Sequence, residues 1–541
     1  MRFALALVVV LAAVLPGAQV AHANGQPEAR APQPVHFPMA TRLEDAQRRF
    51  DEGLAQLYSA DRDGAVAAFD AAAALDPTSP LPLWGLALAL SPSVDASSSP
   101  TDLQRAEEAV RRASDLAARA PAKERAFVAA LAKRYPDVAA RTSGNGSDSG
   151  PEAYRESMRQ LVRTYPNDLH AATLFAESQM AAMQWQLWTP DGSPLDGTQE
   201  ILETLERVLD REPTHIGAIH LYIHATEASL TPERALRSIG VLEQQMPTSP
   251  HLLHLPSHTE LRAGLAQAAV TANRKAVVAL RGGAATLSPS QEAELRHILD
   301  SLSSAASASG QLAEALRAAE ELERSALPAI SADPSLQPYG VRRLFVLLRF
   351  SRWNDVLAAA PPSEPAPLVT ALRAFARGVA RAALHDVAGA EQERDAYRAA
   401  RRQISGDARW LDVPAAPLLA VADRLLDARI ASASGDTPDA LAAWQQAIVA
   451  EDALPYHQPS AWFAPAREAL AVALFRLKRY EQADLVLRQE LERNPGNGRA
   501  LFARWQVLKV SDGDIPGTLV AGRRYQDAWS AADTPLSLDD Y

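Results

Sequence analysis

Cysteine is absent from the 541 residues, which excludes disulfides, thiolate metal sites, cysteine nucleophiles and a lipid-modified cysteine. Aromatic residues are scarce at 6%, while Ala, Leu and Arg are abundant. Those three lead the helix scale, whereas strands want aromatic and β-branched side chains. No run alternates apolar and polar residues long enough to require a sheet, so the expected class is all-α. Net positive charge is lacking too. The 54 Lys and Arg against 65 Asp and Glu give −11, without the electrostatic footprint of a nucleic-acid binder. No phosphate-binding G-K-[ST] occurs, and Gly144, Gly146 and Gly150 lie in a Ser/Gly tract rather than behind a strand. The H-E-x-x-H order of zincin peptidases is also missing.

Long apolar runs are almost absent; the exception is the 12 residues Ala4 to Leu15. As a helix that run reaches ~18 Å, short of a ~30 Å hydrocarbon core. The basic start Met1-Arg2 and the small-x-small sequence Ala21-His22-Ala23 make residues 1–23 a cleavable signal peptide. The mature chain is therefore expected to begin near Asn24, in the periplasm or outside the cell, with no transmembrane segment. A Pro-rich arm follows to residue 43. Helical patterning then runs as an N-terminal array over 44–280, connecting degenerate repeats over 281–365 and a C-terminal array over 366–541. Its breaks are short, among them Ser91–Pro100, Thr142–Pro151 and Thr189–Thr198. Thr231-Pro232-Glu233 and Thr437-Pro438-Asp439 predict helix starts, each with a capping hydroxyl, an early proline and an acid facing the dipole.

Internal repeats decide the architecture. Counting back from Pro77, the small or aromatic residues Ala72, Phe69, Ala65 and Gly53 stand 5, 8, 12 and 24 positions earlier. The same count from Pro247 meets Leu242, Ile239 and Ala235, and from Pro495 it meets Leu487 and Ala483. Pro213 and Pro247 are 34 residues apart. This spacing resembles the tetratricopeptide repeat (TPR), a helix–turn–helix unit that stacks into a right-handed superhelix of antiparallel helix pairs. Further segments resemble one large bacterial family of secreted TPR proteins. They are Pro34-Val35-His36-Phe37-Pro38, Leu83-Trp84-Gly85, Leu187 through Gly192, His220 through Arg262, Arg352-Trp353 and Trp462 to Gln506. The resemblance spans nearly the whole mature chain and implies the fold, without an activity.

Histidine is the informative residue. Six of the 12 (His215, His220, His224, His251, His254, His258) fall within 44 residues. His220 and His224 share one helical face with Glu227, and His254 and His258 repeat the spacing exactly one 34-residue period later. The resemblance to TPR proteins implies that these positions line a concave groove, together with His170, Glu177, His251 and Arg262. Neighbouring helices ~8–10 Å apart would let His220, His224, His254 and His258 share one ion at Zn–N bonds of ~2.0–2.1 Å.

Neutral imidazole suits Zn, Cu, Fe or Ni. Glu177 or Glu227 is a candidate ligand or general base on a bound water, and His170, His251 and Arg262 are candidates for holding an organic ligand or peptide. The bland alternative is a polar groove in which the histidines bond to one another and to backbone. Pro256, between His254 and His258, bends the second pair unless it opens a helix. Three functions remain open at this point: a groove binding a transition metal or a ligand coordinated through it, a metal-dependent enzyme using the same side chains, and a protein-interaction scaffold.

Overall fold

A chain rich in Ala, Leu and Arg with few β-branched residues should pair helices, and it does. The computed structural model describes residues 35–541 apart from 96, 137–149, 284–285, 362–365, 412 and 512–514. The signal peptide expected over residues 1–23 and most of the Ser/Gly tract lie outside these. Short connections force consecutive helices into antiparallel hairpins. Examples are Glu44–Tyr58 with Arg62–Leu75, Ile216–Glu227 with Leu236–Gln245, Pro289–Ala308 with Leu312–Ala326, Pro367–Ala383 with Val387–Arg401, and Tyr480–Arg493 with Gly498–Val510. Among the described residues the only sheet is one antiparallel pair of two-residue strands, Arg409–Trp410 with Val413–Pro414. The fold is an all-α, TPR-like helical repeat. No described helix is long and apolar enough to cross a membrane.

The small residues of the repeat have a physical reason. Phe69 is fully buried, and a Cβ on Gly53 or Gly85 would stand only 2.8 or 2.4 Å from its ring. Glycine on both flanking helices lets that ring fill the space between them, where a methyl group would overpack it. The two expected helix starts fall in place, but neither threonine caps. Asp436 supplies the cap before Thr437, accepting from the Asp439 N–H at 3.2 Å, because an ionised carboxylate one residue earlier is the stronger acceptor. Thr231 makes no side-chain cap, and Pro232–Ala235 forms a 3₁₀ turn before the helix proper.

Residues 35–43 are extended, as expected of an arm, yet three side chains pack inward. Val35, Phe37 and Met39 are buried, and Phe37 sits among Phe50, Trp84 and Phe127. The apolar side chains form two cores, one running from Val35 to Leu255 and the other from Leu253 to Tyr541. The histidine-rich segment lies where the two meet. Its other flank touches the C-terminal repeats. Gly264, at φ +84°, packs backbone to backbone on Gly496, and Arg262 donates to the Arg493 carbonyl at 2.9 Å.

Candidate metal centre

The helix Ile216–Glu227 begins where His215 accepts the Ala218 N–H at 3.1 Å, and nearly every residue on it is buried. His220 and His224, one turn apart, present neighbouring rings with centroids 5.1 Å apart. The next repeat opens with Ser249 capping the short helix Pro250–His254. Pro256 has no N–H to continue it, so a second helix starts there and runs to Arg262. The break does not separate His254 from His258, whose Nε2 atoms are 2.9 Å apart.

These side chains gather in two adjoining groups. His220, His224 and His251 converge with Asp95 in one; His254, His258 and His297 form the other. A further grouping of His224, Glu227 and His258 is made through Nδ1 atoms already spent on hydrogen bonds to Glu227. No group of described residues contains all four of His220, His224, His254 and His258, which the 34-residue spacing suggested for one centre. Adjacent first helices are offset by about one turn. His251, three residues before His254, is the ring that meets His220, at a centroid distance of 5.0 Å. His254 is instead held back by Asn273, whose Oδ1 lies 2.7 Å from its Nδ1.

Asp95 and His297 were not anticipated. Asp95 comes from the Ser91–Pro100 break, and although its backbone faces solvent, its side chain turns inward and is 14% exposed. Its carboxylate oxygens stand 3.2 Å from His220 Nε2, 3.2 Å from His224 Nε2 and 3.4 Å from His251 Nε2. All three Nε2 atoms are buried and lack a hydrogen-bond partner among the described residues.

For His220 and His224 the other ring nitrogen explains why. His220 Nδ1 is 2.8 Å from the Tyr58 carbonyl, a group that cannot donate, so Nδ1 carries the proton and Nε2 bears a lone pair. His224 and His258 point Nδ1 at the two oxygens of Glu227, at 3.4 and 2.7 Å. Asn273 spends its amide N–H on the Ala269 carbonyl at 2.8 Å, which leaves its oxygen to accept from His254 Nδ1. Four imidazoles thus have an acceptor holding Nδ1–H, which turns Nε2 inward. Carbonyl and carboxylate partners fix metal-ligating histidines in the same way.

The electrostatics match this arrangement. Burial alone would raise Asp95, but His220 and His251 outweigh it and hold the carboxyl well below its ordinary range. Burial likewise opposes ionisation of Glu227, yet His258 and His224 bring it down to about 2. Burial would lower His224, and the two carboxylates reverse that, raising it to about 10. His251 and His297 are pushed down to about 3, chiefly by burial. The interior therefore holds two ionised carboxylates beside His251 and His297, which resist protonation, and His224, which favours it, a setting that draws a positive charge.

The remaining sequence candidates stand apart from the two groups. His170 stacks on Tyr58 and its Nδ1 is 3.1 Å from the tyrosine hydroxyl. Arg262 donates to the Glu227 and Ser229 carbonyls as well as to Arg493, which spends it on joining helix ends. Glu227 was a candidate base, but both its oxygens are occupied by histidine, so it orients rings instead. Glu177 faces Arg134 across 3.9 Å and keeps one buried oxygen unpartnered. With Arg134 it lies in the wall of a cavity lined by Leu57, Leu88, Leu174 and Trp185, which reaches Asp95 and His220.

No protein-family model matches the chain, and no curated protein sequence matches it. Among solved structures the chain is similar to one described as the crystal structure of the APC/C hetero-tetramer Cut9-Hcn1. The identity is 13%, covering 90% of this chain and 94% of that one, with a TM-score of 0.28. At so low a score the fold rests on the helix pairs themselves.

Proposed function

We propose that this is an exported helical-repeat protein, of the secreted TPR kind its sequence resembles, that binds a transition metal ion through Asp95, His220, His224 and His251. One observation carries the reading: three buried imidazole Nε2 atoms without partners face a single carboxylate at 3.2–3.4 Å. Lone pairs on nitrogen and oxygen repel at that distance unless a cation lies between them. A proton on His224 answers for that ring alone, and His220 would have to become imidazolium to do the same, since the Tyr58 carbonyl already holds its Nδ1–H. A metal ion serves all three rings at once. Imidazole and carboxylate together suit Zn, Cu, Fe or Ni.

The cavity beside Asp95 and His220 favours a second reading, in which the ion acts on a small, largely apolar molecule there. Repeat scaffolds of this type also suit protein partners.

Calorimetric titration of Zn(II), Cu(II) and Ni(II) into chain made without a histidine tag tests the binding. Affinity is expected to fall steadily between about pH 9 and pH 6, because the ion has to displace the proton that His224, raised to about 10, holds over that range. Equal affinity at both values would contradict imidazole ligation. Export has its own test. N-terminal sequencing of the native protein is expected to start near Asn24, and Met1 in the mature chain would defeat it.

A further inference from the structure

We infer that His254, His258 and His297 bind a second metal ion beside the first, so that the interior is a two-ion centre of adjoining imidazole sites. The inference builds on the ion proposed at Asp95, but its own observation is separate.

His254 and His258 bring their Nε2 atoms to 2.9 Å. Such a contact reads as a hydrogen bond only if one Nε2 carries a proton. Both Nδ1 atoms already do, because His258 faces the Glu227 carboxylate and His254 faces the Asn273 oxygen. With both rings neutral, two lone pairs would meet at 2.9 Å, so the contact calls for a cation, either a proton that makes one ring imidazolium or a metal ion. Ligands of one tetrahedral ion with ~2.0–2.1 Å bonds stand ~3.3 Å apart, so a small outward movement of the rings accommodates an ion. A shared proton would need only two rings, whereas three converge here. His297, on the helix Pro289–Ala308, brings a ring nitrogen within 4.8 Å of the other two ligand atoms, and its ring centroid is 4.8 Å from that of His254. His254 and His258 are nearly or fully buried and His297 is half-buried.

Glu227 ties the two sites together. One oxygen orients His224 of the first group and the other orients His258 of the second. Three imidazoles without a carboxylate among the ligands form a softer set than the first site with Asp95, which suits Zn(II) or copper. The two positions accordingly differ in the charge they impose on their ions.

The test is a metal count on the full-length, untagged chain dialysed against Zn(II) and then freed of excess. Wild type is expected to hold about two equivalents, and His297→Ala and Asp95→Ala about one each, as two separate sites require. One equivalent in wild type that survives His297→Ala but not Asp95→Ala overturns the second ion and leaves the first standing. One equivalent with the opposite pattern overturns the first. None in wild type overturns both.

Because His297→Ala alters a packed helix, Asn273→Leu provides a variant that leaves every ligand residue in place. It removes the acceptor that fixes His254 and is expected to weaken one of the two ions by roughly 10–100-fold, with circular dichroism unchanged. Two unchanged affinities in that variant overturn the assignment of His254.

Discussion

Asp95→Ala is expected to abolish the stabilisation that a transition metal gives at the first site. An ion that binds only the folded chain stabilises it by about 2.7 kcal/mol at a hundredfold excess over Kd. In wild type that gain appears as a rise in melting temperature of a few degrees, since a chain this long unfolds with a large entropy. The variant retains the three imidazoles but loses the carboxylate whose oxygens lie 3.2–3.4 Å from them. Its first-site contribution to the metal-dependent rise should disappear. Melting curves with and without Zn(II) measure this directly. An undiminished rise in the variant would show that Asp95 is no ligand.

The second large effect is expected from Glu227→Gln. The carboxylate accepts an Nδ1–H from His224 and another from His258. Glutamine offers one oxygen and one NH₂ group in the same place. One imidazole then meets a donor, has to move its proton to Nε2, and so loses the lone pair that would ligate. Replacement of such supporting groups lowers metal affinity by about 10–100-fold. Titration of the variant should show that loss while the helical circular dichroism persists. If Glu227 served packing alone, the melting temperature would drop equally with and without metal and the affinity would stay constant.

The sequence carried the helix pairs because their determinants are local and periodic. Gly53, Ala65, Phe69 and Ala72 recur at distances set by one repeat, and the structure shows Phe69 pressed between Gly53 and Gly85. The face on which His220 and His224 point also follows from a four-residue spacing on one helix. What spacing does not give is the offset of one helix against its neighbour. A shift of about one turn exchanged His254 for His251 opposite His220.

Asp95 and His297 were hidden for a different reason. They reach the centre from segments about 125 residues earlier and about 40 residues later than His220 and His258, respectively, and nothing local marks an acid in the Ser91–Pro100 break as inward-facing. Glu227 was recognised as part of the cluster, but its role was not. Only the positions of the two Nδ1 atoms show that both oxygens are engaged.

The central claim is that the converging Nε2 atoms enclose a metal ion. Inductively coupled plasma mass spectrometry of the native protein, purified without a histidine tag and without chelator, tests it most directly. The account predicts at least one equivalent of a first-row transition ion per chain. Less than ~0.2 equivalents, also after exposure to every such ion at concentrations that fill histidine-rich sites, would contradict it.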